Sequence, residues 1–407
     1  MLPVIAKSTS HTMRLLLLPA IIIILVNLLV DSYIYGILKR RCDKLWPSRV
    51  QLVSALLFQL AVIVAICLPR RGGDNTVLLA VMWTLYSYLT VYVAKYIYVA
   101  VDLLSRIPEL IHRRRVKWLT AAGSVMAIGV FGAMWWGALI NRFAIQVKEV
   151  DIPVSDLPDN FDGFRIAQIS DLHTGTFGND TSFVSKLVDK VNTLNPDVIV
   201  FTGDIVNSRT TELQPHTSPL SRLHARYGVF SILGNHDYGD YSDWPNEISK
   251  QQNMDQLISM QKDMGWRLLL NETEFIHSGT DSIALIGVEN IGDPPFKVYG
   301  SLTQAYPAVS DSVCKVLLTH NPAHWTDSIA NNPAANIALT LSGHTHAMQM
   351  QVGSWSPAIW RYDTWGGLYN DIDSTHYLYV NIGDGTVGFP ARIGATPEIT
   401  ILTLKKR

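Results

Sequence analysis

Five short stretches of this chain set acidic, amide or imidazole side chains beside small turn residues. They are Asp171-Leu172-His173, Gly203-Asp204, Gly234-Asn235-His236-Asp237, His320-Asn321-Pro322 and Gly343-His344-Thr345-His346. Carboxylate and amide oxygens mixed with imidazoles form a donor set suited to Mn, Fe or Zn. So many histidines suit Ca or Mg less well, and the single cysteine beyond residue 145, Cys314, leaves little for a thiolate-favouring metal. One Asp-x-His alone is usually a solvated turn. Five such stretches converging on one chemistry point to a metal site.

Each stretch directly follows a short run rich in Val, Ile, Leu or Phe: Phe164 to Ser170, Val198 to Thr202, Val229 to Leu233, Val316 to Thr319 and Ile337 to Ser342. Runs of this length bounded by turn residues read as buried strands. Ile283 to Val288, Tyr377 to Asn381 and Ile399 to Leu404 read the same way. Ser182 to Thr193 sets Phe183, Leu187 and Val191 at helical spacing, and Leu257 to Met264 is a weaker helical stretch. Alternating strands and helices imply an α/β fold whose sheet is largely parallel or mixed, and in such folds ligands bind at the carboxyl ends of the strands. The glycines before Asp204, Asn235 and His344 would let the backbone turn sharply there.

The first 145 residues have another character. Four apolar runs, Leu15 to Leu38, Leu52 to Leu68, Val77 to Ile97 and Leu119 to Ile140, each approach the ~20 residues that cross a bilayer as helix. The chain therefore divides into a membrane anchor, residues 1–145, and a second domain, residues 146–407, of about 260 residues, long enough to bury its own core. The first run is longer than a signal-peptide core and has no small-x-small cleavage site after it, so it is read as retained.

Two loops on one side of the spans are strongly basic: Lys39, Arg40, Arg41, Lys44 and Arg49 in one, Arg106, Arg113, Arg114, Arg115 and Lys117 in the other. The other side has only Lys7, Arg14, Arg70, Arg71, Arg142 and Lys148. Basic residues stay in the cytoplasm, so the second domain is expected outside it, on a multi-pass protein of a bacterial inner membrane. Within the spans, Lys95 and Asp102 suggest an intramembrane pair, and snorkelling of Lys95 to the basic face is the simpler account. Other polar groupings are scarce there, which favours anchoring over transport. A net charge of −1 speaks against a nucleic-acid partner.

The five motifs, in this order, resemble those of the calcineurin-like metallophosphoesterase superfamily, over roughly Ile166 to Leu404. The resemblance implies a layered α/β/β/α domain with mixed sheets behind the four-helix transmembrane region. It also implies two divalent metal ions: Asp171, His173 and His346 on one, Asn235, His320 and His344 on the other, with the Asp204 carboxylate between them. His236, adjacent to Asn235, would serve as general acid to the leaving alkoxide. Asp237 would either orient His236 or serve as an N-cap or turn residue. His216, His224, His277, His324 and His376 lie outside the motifs and read as surface or satisfied core residues.

Gly234 to Tyr238, Ile286 to Val288, His320 to Pro322, Asn381 to Gly385 and Pro397 to Ile399 are similar to the membrane-associated YkuE-like phosphohydrolases. Ala347-Met348 stands where that subgroup would have small glycines, which bears on substrate fit rather than on metal binding.

The expected activity is metal-dependent hydrolysis of a phosphomonoester or phosphodiester. The subgroup's similarity to UDP-diacylglucosamine hydrolases extends this to lipid-linked or envelope substrates, although that reaction belongs to the cytoplasmic face, against the orientation drawn from the loops. A phosphoprotein phosphatase on the same scaffold and a non-enzymatic metal-binding membrane sensor are the alternatives; the first would prefer phosphopeptides, the second would bind metal and hydrolyse nothing.

Overall fold

The computed structural model describes residues 3–69, 71, 75–306, 313–330, 332 and 335–407, without the side chains of residues 3–18 and 20. Arg70 and the side chains of Lys7 and Arg14 thus lie outside the described residues. The chain divides into two compact units: Met1–Leu68 with Ala80–Trp135, and Pro69–Leu79 with Trp136–Arg407.

The first unit is built on helices α1 (Pro3–Arg41), α2 (Trp46–Cys67), α3 (Asn75–Leu104) and most of α4 (Lys117–Leu139). Four segments are long and apolar enough to cross a membrane: Ile21–Arg41, Trp46–Cys67, Asn75–Ile111 and Lys117–Phe143. Their outer faces carry exposed Leu25, Leu29, Leu57, Leu60 and Ile128, while Asn27, Asp31, Gln59 and Asp102 are buried. Apolar outside and polar inside is the arrangement a hydrocarbon solvent demands, because every polar group there needs an internal partner.

Here the structure corrects the sequence reading of Lys95. Its Nζ lies 2.6 Å from Oδ1 of Asp31 on α1, and Asp31 is fully buried. The same carboxylate accepts from Tyr92 Oη at 2.7 Å and Gln51 Nε2 at 3.1 Å. Gln59 Nε2 donates to Tyr92 Oη at 3.0 Å, Tyr88 Oη donates to Gln59 Oε1 at 2.6 Å, and Asn27 bonds Tyr88 and Tyr96. Asp102 instead meets Arg106, Arg115 and Tyr33. Lys95 is therefore neutralised within the bundle by an acid contributed by another span, and the polar residues of the spans form one connected group.

In the second unit the order is β1 (Gln146–Val154), β2 (Arg165–Ile169), α5 (Ser182–Thr193), β3 (Val198–Phe201), α6 (Thr217–Leu220), β4 (Val229–Ser231), α7 (Glu247–Asp263), β5 (Arg267–Leu268), β6 (Glu272–Ser278), β7 (Asp281–Gly287), α8 (Leu302–Ala305), β8 (Lys315–Leu318), α9 (Ala323–Ser328), β9 (Leu339–Ser342), β10 (Gly367–Asn370), β11 (Tyr377–Val380) and β12 (Glu398–Lys406). The strands form two six-stranded mixed sheets, ordered β1-β12-β2-β3-β4-β5 and β10-β11-β9-β8-β7-β6. In the first sheet β2 to β5 run parallel and β12 is antiparallel to β2; in the second β7, β8, β9 and β11 run parallel between antiparallel β6 and β10.

Alternation along the strands decides how the layers stack. Ile166, Val198, Val200 and Leu402 of the first sheet share one buried cluster with Leu285, Val316, Leu318 and Leu341 of the second, so the sheets pack face to face. The intervening residues Ala167, Ile169, Ile199 and Phe201 pack under Phe183, Leu187 and Val191 of α5 and Leu257 of α7. On the far side, Ile286, Leu317 and Val380 pack with Trp325 of α9. Gln168 Nε2 on β2 donates to the Ser342 carbonyl at the end of β9, at 2.9 Å, linking the sheets where both deliver their polar motifs.

Candidate metal centre

The five motifs leave the carboxyl ends of β2, β3, β4, β8 and β9. Parallel register aligns them: Ile169 stands opposite Phe201, and Asp171 N then donates to Gly203 O at 2.9 Å and His173 N to Asp204 O at 3.1 Å. In the second sheet Leu318 stands opposite Leu341, and Gly343 N donates to His320 O at 2.9 Å.

Left-handed backbone then turns the side chains inward. Asp171, His173, Asp204, His344 and His346 have φ of 52°, 46°, 60°, 75° and 51°. This region is sparsely populated by non-glycine residues, and such strain persists where the surroundings hold it, often at functional sites. Gly203, with φ of 95°, makes the turn expected of it. Gly234 and Gly343 serve a different purpose: a Cβ there would lie 2.1 Å from Asp204 Oδ1 and 2.1 Å from Asp171 Oδ2, so these positions must stay bare for the carboxylates to fit.

Asp171, His173, Asp204 and His346 each place one ligand atom within 4.8 Å of the others, and Asp204, His320 and His344 do the same. Asp204 belongs to both groups. Its Oδ2 is 3.2 Å from His320 Nε2 and 3.6 Å from His173 Nε2. Asp171 Oδ1 is 3.2 Å from His346 Nε2. Ring nitrogens face one another at 3.0 Å between His173 and His346 and at 3.2 Å between His344 and His320.

The residues fit a pair of cations. Asn235 is buried, its Nδ2 donates to Tyr241 Oη at 2.9 Å, and its Oδ1 has no partner. A buried acceptor without a donor is costly, and a cation would satisfy it. His320 Nδ1 bonds the Thr202 carbonyl at 2.8 Å, which puts the proton on Nδ1 and leaves the Nε2 lone pair toward Asp204.

Electrostatics agree. Burial disfavours the ionised forms of Asp171 and Asp204, but His346 beside the first and His320 beside the second outweigh it and hold both carboxyls well below their usual range. Burial lowers His173 and His346, and lowers His344 to about 3, so these imidazoles are neutral, as ligands must be. His320 differs: burial would lower it, but the Asp204 charge raises it to about 9.

His236 is half-buried. Its backbone N donates to Asp204 Oδ1 at 2.8 Å, its Nδ1 bonds the Asn207 carbonyl at 2.7 Å, and its ring lies 4.8 Å from that of His173 and 4.3 Å from that of Tyr241. Asn207, not Asp237, therefore orients this imidazole. The Asp237 carboxylate accepts instead from Asp204 N and Gly234 N at 2.9 Å, Ile205 N at 3.0 Å and Val206 N at 3.3 Å. It clamps the loop after β3 to the loop after β4. Burial and the nearby Asp204 charge push Asp237 up to about 7, against these donors.

Sequence reasoning missed several partners. Tyr362 Oη lies 3.3 Å from His344 Nε2. The fully buried Arg392 reaches His346 Nδ1 at 3.3 Å and donates to the carbonyls of Gly385, Ile382 and Ala395 at 2.6, 3.0 and 3.2 Å. Burial lowers Arg392 to about 10, with Asp384 and Asp171 opposing. Asp384, inside the Asn381 to Gly385 stretch, accepts from Ser170 N at 3.3 Å. Arg392 carries no local signal, because its partners are mostly main-chain carbonyls. The histidines outside the motifs behave as expected: His216 and His324 are buried and hydrogen-bonded, His224 and His277 are exposed, and His376 pairs with Asp371.

Residues 13–142 match the transmembrane domain of the probable calcineurin-like phosphoesterases, and residues 164–348 match the calcineurin-like phosphoesterase domain. A Danio rerio transmembrane protein with metallophosphoesterase domain is 30% identical over 337 residues, covering 79% of this chain and 73% of the relative. The uncharacterized metallophosphoesterase YkuE of Bacillus subtilis is 32% identical over 295 residues, covering 70% of this chain and 93% of the relative. The UDP-2,3-diacylglucosamine pyrophosphatase LpxG of Chlamydia trachomatis is 26% identical over 304 residues, covering 61% of this chain and 86% of that protein. With its four apolar helices and its Asp/His cluster, the chain belongs to the calcineurin-like phosphoesterases, as a membrane-associated metallophosphoesterase that hydrolyses phosphoric esters.

Proposed function

We propose that this chain hydrolyses lipid-linked or envelope phosphoesters at a centre of two divalent cations, drawn from Mn, Fe and Zn. The observation that carries the reading is Asp204, whose carboxylate belongs to both donor groups. Asp171, His173 and His346 would hold one cation, and Asn235, His320 and His344 the other. When bound, such a pair supplies Lewis acidity toward phosphoryl oxygens and acidifies water.

The remaining work falls to the chain's own side chains. His236 donates its Nδ1 proton to the Asn207 carbonyl, which leaves Nε2 as the working nitrogen. Protonated there, it delivers a proton to the departing alkoxide, and the bond to Asn207 stabilises the imidazolium during that step. Asp237 acts through position only, by holding the main chain on which Asp204 and Asn235 sit.

Lipid-linked substrates are supported by the anchor itself and by the similarity to the Chlamydia trachomatis pyrophosphatase. The basic loops at the ends of α1 and α3 support an extracytoplasmic domain in a bacterial inner membrane.

The test is a metal-dependent hydrolysis screen on the purified full chain, using aryl phosphomonoesters, bis-aryl phosphodiesters, lipid pyrophosphates and phosphopeptides, with metal content measured alongside. Activity on the ester substrates that needs added cation and disappears in Asp204→Asn is the expected result. Full activity in Asp204→Asn would contradict the shared carboxylate; preference for phosphopeptides would favour a phosphoprotein phosphatase, and metal binding without hydrolysis a sensor.

A further inference from the structure

Between His346 and Arg361 the chain carries no charged side chain, and it displays apolar groups to the outside. Val352 is 70% exposed, Ile359 52% and Trp360 78%, while Met348 and Trp355 are also exposed. The Trp355 and Trp360 rings meet edge to face, 5.7 Å apart. Exposed single apolar residues need no explanation, but a contiguous uncharged patch with two tryptophans does.

The base of this loop is fastened at both ends. Ser356 Oγ donates to Ala347 O at 2.7 Å, and Thr345 Oγ1 donates to Trp365 O at 2.5 Å. Tyr362, just past the patch, touches the candidate ligand His344. The loop is thus a rigid projection rising from the rim of the metal centre.

What the patch faces is indicated by the residues behind it. Gln351 N donates to Ile393 O at 2.9 Å, and Ile393 N donates to Gln349 O at 2.8 Å. The next residue, Arg392, donates its backbone N to the carbonyl of Gly137, in the last turn of α4, at 3.1 Å, and Asn141 Nδ2 donates to the Arg392 carbonyl at 2.8 Å. The closing turn of the last candidate span, the 392–393 segment and the root of the apolar loop therefore form one bonded path within the second unit. A loop rooted where a membrane helix ends lies at the level of the bilayer interface. Tryptophan is the residue favoured at that depth, and an uncharged tip can enter it without desolvating an ion.

We propose that the segment from Met348 to Trp360 is an interfacial docking loop. Its Val352, Trp355, Ile359 and Trp360 side chains enter the headgroup region of the membrane in which the chain is anchored, and they hold the rim of the metal centre against the lipid surface. This extends the phosphoesterase reading: the substrates presented to such a site are amphiphiles whose phosphoester lies at headgroup depth.

The proposal is tested by fluorescence on the full chain reconstituted into vesicles of phosphatidylethanolamine and phosphatidylglycerol. Cys42 and Cys67 are replaced by alanine, buried Cys314 is left in place, and an environment-sensitive probe is attached in Trp360→Cys or, as a second variant, Ile359→Cys. Ile372→Cys is the reference, since Ile372 is 94% exposed in the loop leading into β11. Lipids carrying a nitroxide near the headgroup should quench the probes at 360 and 359 at least about threefold more than at 372, while aqueous iodide shows the reverse order, as expected for side chains at the interface. Iodide quenching at 360 and 359 equal to that at 372 would overturn the proposal. So would protection from both quenchers, which would mean that protein, such as a second copy of the chain, covers the loop. The readout needs no turnover, so loss of docking with hydrolysis intact and loss of hydrolysis with the loop inserted remain separate results.

Discussion

His236 Nδ1 lies 2.7 Å from the main-chain oxygen of Asn207, and that contact sets which nitrogen of the imidazole is free to work. With Nδ1 committed as donor, proton delivery falls to Nε2. His236→Ala should then lower turnover about 100-fold for esters with alkyl leaving groups, and by less than about tenfold for nitrophenyl esters, whose leaving group needs no proton. Rates across a leaving-group series, with metal content shown to be unchanged, check this. Equal losses across the series would remove the acid role.

Asp237 acts through the main chain. In Asp237→Asn an amide N–H replaces an acceptor that now faces several backbone N–H groups. The expected cost is about 2 kcal/mol of stability, the usual range for unsatisfied buried donors, together with weaker metal binding. The pH dependence of turnover should keep its shape, because His236 retains its Asn207 bond. Denaturant unfolding and a pH–rate profile on one preparation separate this from an acid–base role, which would move the profile.

In the membrane half, Asp31 and Lys95 should behave as a unit. Replacing either alone, as Asp31→Asn or Lys95→Met, strands its charged partner and should cost about 3 kcal/mol. The double variant should lose much less than the sum of the two, which a double-mutant cycle on thermal unfolding in detergent reads directly. Additive losses would mean that the pair contributes nothing as a pair.

Asp371 provides a pH-dependent contribution away from the metal centre. Burial would raise its carboxyl, but the N–H of His376, the Thr375 hydroxyl and His376 Nδ1, at 3.1, 2.8 and 2.7 Å, outweigh it and hold it at about 2, below the ordinary 3.8. A depressed carboxyl stabilises the fold fully above its unfolded value and loses that contribution as pH falls through its folded value. Wild type should exceed Asp371→Asn by about 1 kcal/mol above pH 4, after allowance for solvent screening, and the gap should close toward pH 2. Unfolding curves of both proteins across that range check the sign.

Much of this protein could be read locally. Four apolar runs and five strand-end motifs are patterns of adjacent residues, and the structure places the motifs at the ends of β2, β3, β4, β8 and β9. Ser182–Thr193 is helical over the residues read, because its apolar side chains recur at a single period. Four strands escaped. β1 lies at an edge with Lys148, Glu149 and Asp151 along it, β6 and β10 are edge strands with partly exposed faces, and β5 has two residues. An edge strand half in water has no continuous apolar run to announce it.

Residue types and order alone therefore determined the division into anchor and catalytic domain, the α/β class and the candidate ligand set. Tertiary structure decided the partnerships: Asp204 between two donor groups, His236 on Asn207, Asp237 on four backbone N–H groups, Lys95 on Asp31 rather than free to snorkel, and Arg392 behind His346. The physical reason is the same in each case. These contacts join residues far apart in the chain, often through main-chain atoms that every residue carries, so no local pattern encodes them until the strands are in register and the helices have packed.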